Sequence, residues 1–529
     1  MNGRFQLDWL EFLLIENIMK LISRIVFFVL LVILTLAIYL SSMQGRGASL
    51  YTHGPAAEKL EFPKNFYWGA SIAGEQAETR QASDWAAFEN DAFLHQRFEA
   101  GKEMETTKPG HIRNYGNWSE QVRRDKSGFD KLYAQDFATS AQMGLNGFRN
   151  SIEWARLFPR ADMTEPDPQG IAYYKDMIAE MKKHHITPFL TLFHYVAPAW
   201  FFQPDVSGKK GWERADAMQH WQRFVEAVAN NFIPDVEQWC TLNEPMVYVY
   251  SGYIDGLYPP LEHRKDLEAT SGVIEGLLKA HALAYQTLHR VAAERHVNVN
   301  VGITQAMEAF EPLRNWAPLD RVITKLVAQA WNWDFLDAIQ SGRLKMANTS
   351  VDHMVAGLKG TQDYVGVNYY MRVFVKSDLL DPGNPVIVMR DPDDPQAIVN
   401  DMGWQYYPHG FYNILTESYH RYQKPVYVLE NGTADQALDD VARQRYIVAH
   451  VREVWLAIHH GGADVRSYMQ WSLFDNFEWV NGFDAKFGLE AVDYEHDFKR
   501  IPRKSAALYS EIAHANGVTA EMMQKYGVQ

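Results

Sequence analysis

Residues 171–193 read IAYYKDMIAEMKKHHITPFLTLF, and this stretch decides the fold class. Ile171, Tyr174, Ile178 and Met181 recur at the spacing of a helix with one apolar face. A compact apolar run of strand length, Thr187–Phe193, follows. The same unit recurs along the chain. Met218, Trp221, Val225 and Val228 precede a run at Glu237–Asn243. Ile447, Val451, Val454 and Ile458 lead through Gly461-Gly462, a helix stop, to Val465–Trp471. Five more runs lie at Phe66–Ser71, Gly147–Ile152, Asn300–Ala306, Asp363–Tyr369 and Val426–Glu430. Eight strands alternating with helices predict an α/β chain folded as a closed parallel (β/α)8 TIM barrel with long loops, its active residues at the C-terminal strand ends. A doubly wound open sheet is the alternative. No Gly-rich phosphate loop follows the first strand to favour it.

The 529 residues are 47% hydrophobic and 22% charged, which excludes wholesale disorder and a fibrous repeat. A net charge of −14 argues against a nucleic-acid binder, whose balance is positive. The single cysteine, Cys240, excludes an intrachain disulfide framework and a cysteine-rich metal site. The 16 Trp, 27 Tyr and 28 Phe fit a large core, or a cleft that stacks flat apolar faces such as sugar rings.

From Ile25 to Gly45 no residue is charged, and Ile25–Leu40 is almost wholly apolar. With Arg4, Lys20 and Arg24 before the run, it reads as a transmembrane or signal-anchor helix over 25–45, with 1–24 cytoplasmic and the bulk of the chain on the non-cytoplasmic side. A cleaved secretory signal is the rival reading, although no A-x-A-like site follows Leu40. Residues 46–60 read as a linker, and 61–529 as the barrel domain.

Two carboxylates stand at strand ends. Glu244 lies in Thr241-Leu242-Asn243-Glu244-Pro245 and Glu430 in Val428-Leu429-Glu430-Asn431-Gly432. Either one alone reads more readily as a salt-bridged strand end than as a functional group. Together, on the fourth and seventh strands of a barrel, they face one cleft, and a carboxylate pair is what glycosidic cleavage needs.

Seven segments in order strengthen that reading: Phe66–Ala70, Phe148–Trp154, Thr191–His194, Thr241–Pro245, Gly366–Tyr370, Glu430–Gly432 and Trp471–Trp479. Over about 450 residues the chain resembles glycoside hydrolase family 1, the retaining β-glycosidases. The resemblance implies that Glu244 is the general acid/base and Glu430 the nucleophile, working by double displacement on a terminal non-reducing β-linked sugar. It implies that Asn243 bonds the 2-hydroxyl, that Gln76, His194, Glu478 and Trp479 grip the other hydroxyls, and that Trp471 stacks on the ring. Arg149 and Tyr370 match the partners of the nucleophile, and a cation and a phenol there are expected to lower the Glu430 pKa. The expected partner is a small-molecule or oligosaccharide β-glycoside. With no convergent His/Asp/Glu set, neither a metal nor another cofactor is expected, and His281, His289, His459 and His460 read as structural or solvated.

There are departures from the family pattern. Glu75 and Thr79 flank Gln76 where an aromatic and a glycine are usual. Tyr195 replaces the Trp that usually follows the histidine, Leu429 a common Thr, and Lys486 a usual Arg. None removes a group needed for bond cleavage, but Glu75 and Tyr195 leave the sugar preference open. Both carboxylates survive, which disfavours an inactive receptor-like member. Glu244 disfavours a thioglucosidase, which carries Gln there, and Glu478 a phosphosugar hydrolase. A transglycosidase would use the same residues.

Overall fold

In the computed structural model, which describes residues 18–33, 35, 59–90, 112–347, 349–378, 385–395 and 397–528, the eight expected runs become eight parallel strands. They are β1 (Tyr67–Ser71), β2 (Gly147–Ser151), β3 (Thr187–Phe193), β4 (Gln238–Asn243), β5 (Asn300–Ala306), β6 (Tyr364–Tyr369), β7 (Val426–Asn431) and β8 (Val465–Trp471). Each pairs with the next, and β8 pairs with β1 to close the barrel. No boundary moves by more than one residue from the sequence reading.

Helices follow the strands: α1 (Phe129–Gln142), α2 (Pro168–Lys183), α3 (Ala217–Phe232), α4 (Ser271–Glu294), α5 (Pro318–Ala328), α6 (Asp334–Ser341), α7 (Pro408–Tyr422), α8 (Val441–His459) and α9 (Lys504–Ala515). Their starts have local causes. At α2 the Asp167 carboxylate accepts from the Gln169 and Gly170 amides, and Pro168 supplies a preset φ at the first helical position. The apolar face of α2 buries Tyr174, Met177, Ile178 and Met181, as its periodicity requires.

Side-chain alternation divides each strand between two cores. On β2, Phe148 points outward onto Phe129 and Phe137 of α1, with ring centroids 6.1 and 5.1 Å away. The barrel interior holds Phe189, Cys240, Tyr364, Tyr427, Leu429 and Met469, with Tyr67 packed on them. Arg149 lies above this plug, toward the C-terminal strand ends.

Strict alternation fails at two places, and both matter for the site. Between Cys240 and Asn243 the β4 register gains a residue on β5, and Val367 and Asn368 of β6 pair with Val428 and Glu430 of β7. These β-bulges re-aim the residues that follow them. In a regular strand Glu430 would share the outward face of Val428; the bulge at Leu429 lets it turn toward Arg149 instead. Beyond the barrel, Lys59–Glu61 pairs antiparallel with Gly517–Thr519, joining the start and end of the domain.

The N-terminal expectation is corrected. Residues 18–33 form an exposed helix that contains Lys20 and Arg24. No helix among the described residues is long and apolar enough to cross a membrane. Anchoring through 25–45, a membrane partner and placement on the non-cytoplasmic side are therefore withdrawn. Most of 34–58, including nearly all of the 46–60 linker, lies outside the described residues.

Phe148→Ala would open a cavity between β2 and α1. The expected loss is about 3–5 kcal/mol of unfolding free energy, read from denaturant titration.

Candidate active site

The C-terminal ends of the strands converge on one buried cation. Arg149, on β2, is fully buried. Its Nε donates to Thr191 Oγ1 of β3 at 3.0 Å and its Nη2 to Asn243 Oδ1 of β4 at 2.6 Å, while Nη1 bonds Glu430 Oε1 of β7. The second Glu430 oxygen accepts from the Tyr370 hydroxyl at 2.6 Å. Both predicted partners of Glu430 are thus in contact with it.

Glu244 follows β4 and starts the short helix Pro245–Val249. Its backbone lies in the left-handed region, φ +43°. The Oε1 atom accepts from Asn368 Nδ2 at 2.7 Å, and Oε2 is hydrogen-bonded by the Tyr195 hydroxyl. Among the described residues no Lys or Arg makes an ion pair with it. Burial, then the charge of Glu430, pushes the Glu244 carboxyl up to about 7.

Glu430 does not behave as expected from its partners alone. Burial outweighs Arg149 and Tyr370 and leaves its pKa above the ordinary carboxylate value rather than below it. The two carboxyls still differ in kind. Glu430 shares a full positive charge and a phenol donor, whereas Glu244 is held by neutral donors. Of the pair, Glu430 is the one stabilised as an anion.

The predicted sugar-binding residues surround these two. Gln76 Nε2 donates to Phe477 O at 2.8 Å, Asn476 Oδ1 at 3.1 Å and Glu478 Oε2 at 3.3 Å. His194 lies 6.0 Å from Trp471, roughly parallel to it, and 6.1 Å from Trp479. Burial and Arg149 hold the His194 imidazole well below its usual pKa, so it is neutral. Burial pushes Glu478 up to about 8. The segment after β8 that carries Glu478 and Trp479 is fixed by Asp475, which takes a two-pronged ion pair from Arg503, both contacts 2.9 Å.

The buried polar atoms without a hydrogen-bond partner among the described residues include Gln76 Oε1, His194 Nδ1 and Asn243 Nδ2. These three come from the ends of β1, β3 and β4. An orphaned buried polar atom carries a desolvation cost, and a ligand hydroxyl at each would relieve it. Among the described residues no group of three His, Cys, Asp or Glu is arranged to hold a metal.

The sequence reading missed three groups. Asn368 lay inside the quoted Gly366–Tyr370 motif without a role. It connects the site, taking a hydrogen bond from Thr304 Oγ1 at 2.7 Å and reaching Asn243 Oδ1 at 3.3 Å as well as Glu244. Tyr195 was visible only as a departure from the family pattern. Glu308, two residues past β5, is a third buried carboxyl near Glu244, and burial holds its pKa well above the ordinary value. Of the other departures, Glu75 is buried with Lys126, Glu89 and Glu153 as charged neighbours. Lys486 turns its ammonium over the Tyr494 ring, 4.8 Å away. His281 is structural: it bonds Thr241 Oγ1 at 2.6 Å and Thr361 O at 2.7 Å.

The family model "Glycosyl hydrolase family 1" matches residues 58–518. A β-galactosidase of Sulfolobus acidocaldarius is 29% identical over 88% of this chain and 97% of its own. The solved β-glycosidase of Pyrococcus horikoshii superposes with a TM-score of 0.75 at 32% identity, covering 89% of this chain and 99% of that one. A rice β-glucosidase mutant, solved in covalent complex with glucose, superposes at 0.73 with 25% identity over 85% and 98% of the two chains. The extent of the family match, together with a paired-carboxylate barrel mouth, establishes that the chain belongs to glycosyl hydrolase family 1.

Proposed function

We propose that this family 1 enzyme, a retaining β-glycosidase, uses Glu430 as its nucleophile and Glu244 as its acid/base, on terminal β-glucoside-like substrates. The observation that carries the assignment is the unlike environment of the two carboxyls. Glu430 is bound by Arg149 and Tyr370 and suits an anion. Glu244 has no Lys or Arg ion pair among the described residues, and a pKa of about 7 leaves much of it protonated near neutrality.

In the first step Glu430 attacks the anomeric carbon while Glu244 gives its proton to the departing oxygen. Esterification removes the Glu430 charge, so Glu244 becomes more acidic and suited to act as a base. It then takes a proton from water, whose oxygen displaces Glu430. Two inversions return a β-sugar.

Asn243 is assigned to the 2-hydroxyl, because Arg149 takes its carbonyl oxygen and leaves its NH2 group free to donate. Gln76, His194, Glu478 and Trp479 are assigned to the remaining hydroxyls and Trp471 to the ring face. Names such as β-galactosidase and β-glucosidase belong to the relatives. A panel of chromogenic β-glycosides distinguishes the sugar used here.

Glu430→Gly is expected to abolish hydrolysis, with azide partly restoring turnover as an α-glycosyl azide identified by NMR. An unimpaired variant would remove Glu430 from the nucleophile role.

Glu244→Gln is expected to lose far more rate on alkyl glycosides than on dinitrophenyl glycosides, since only poor leaving groups need the proton. Equal losses on both substrate types would exclude Glu244 as the acid.

The acid must be protonated to act, so kcat/KM for alkyl glycosides is expected to fall as pH rises through about 7. A stopped-time pH series checks this, and Glu244→Gln should erase that limb from the residual activity.

A further inference from the structure

We propose that Tyr195 is a positioning residue for the acid/base: its hydroxyl holds Oε2 of Glu244 and fixes that oxygen as the one that carries the transferred proton. This rests on the acid/base reading of Glu244 and extends it.

A chain of donors and acceptors orients the groups. Arg149 can only donate, so Asn243 must turn its Oδ1 toward Nη2. Asn368 lies 3.3 Å from that same Oδ1, so it must present its NH2 group there. Its own Oδ1 faces the Thr304 hydroxyl at 2.7 Å, consistent with this orientation. The Asn368 NH2 therefore also faces Glu244 Oε1, at 2.7 Å. A proton on Oε1 would meet amide hydrogens. Oε2 is left to carry it, and the group at Oε2 is the Tyr195 hydroxyl.

A hydroxyl both donates and accepts, so it serves both protonation states. When Glu244 is protonated, Oε2–H donates to the Tyr195 oxygen. When the proton passes to the leaving glycosidic oxygen, the Glu244 O–H bond breaks. The Tyr195 hydroxyl then rotates and donates to the new carboxylate. In the second step Oε2 regains a proton from the attacking water. Tyr195 never ionises, because burial and the neighbouring Glu244 charge hold its own pKa well above the usual phenol value.

Tyr195 is built to stay in place. It is 2% exposed, with φ +68°, and its ring lies 5.3 Å from His194, 5.3 Å from Trp479 and 5.8 Å from Tyr258. The other titratable or charged groups around Glu244 are Glu430, Arg149, Glu308, Glu478, Tyr258 and Tyr370. Tyr195 is the one bonded to Oε2.

The test is the alkaline limb of kcat/KM with an alkyl β-glycoside, in the full chain. Tyr195→Phe removes a donor that favours the carboxylate more than the acid, so the limb should move up by about one pH unit. Replacing Tyr195 with 3-fluorotyrosine keeps the shape while making a stronger donor and weaker acceptor, so the limb should move down. That variant decides the matter if Tyr195→Phe does not fold. A limb unmoved by the folded substitutions, while Glu244→Gln still separates poor from activated leaving groups, overturns the role of Tyr195 alone. Loss of that separation in Glu244→Gln overturns the acid/base reading and this proposal together.

Discussion

Arg149 brings a permanent positive charge into the interior of the barrel, where desolvation costs several kcal/mol unless acceptors surround it. Three neighbouring or facing strands supply them: Thr191, Asn243 and Glu430. The guanidinium has five donors and no acceptor, so it dictates the orientation of whatever it touches. It favours the ionised form of Glu430, though burial still outweighs it. It turns Asn243 so that the amide NH2 remains free, and through Asn243 it sets Asn368 and one face of Glu244. The chemistry of the mouth is therefore a consequence of one side chain on β2.

The same charge explains how carboxyls can be concentrated there. Glu244, Glu430, Glu478 and Glu308 are all near the mouth, and one cation cannot neutralise four anions. The Coulomb cost is avoided by protonation wherever no cation is in contact. Glu244 and Glu478 rise to about 7 and 8, and burial holds Glu308 well above the ordinary carboxylate value. Burial is the largest cause of each of these shifts.

Precision at the mouth comes from irregular backbone. Tyr195, Glu244 and Trp479 all have positive φ, a conformation that costs non-glycine residues roughly 1–3 kcal/mol each. The barrel packing below and the Arg503–Asp475 pair beside it hold them there. Rigid strands supply direction, and the strained residues at their ends supply the final aim.

The sequence by itself determined the barrel. Eight apolar runs alternating with amphipathic helices leave little else to fold into, because each helix must cover the strand beside it. It also marked the two carboxylates, whose motifs stand at strand ends, while the contacts of Arg149 and Tyr370 with Glu430 were expected only from the family resemblance. Tertiary structure alone decided the rest. The bulges before Asn243 and Glu430 cannot be read from alternation, since they are departures from it. The Glu430 pKa could not be read from its partners, because burial, which the local sequence does not specify, outweighs them. Asn368 and Tyr195 bear on Glu244 from 124 and 49 residues away, so no local pattern reports the contact. The N-terminal apolar run illustrates the converse: its composition suggested a membrane span, but no helix among the described residues is long and apolar enough to cross a membrane, and the one over 18–33 carries two basic residues.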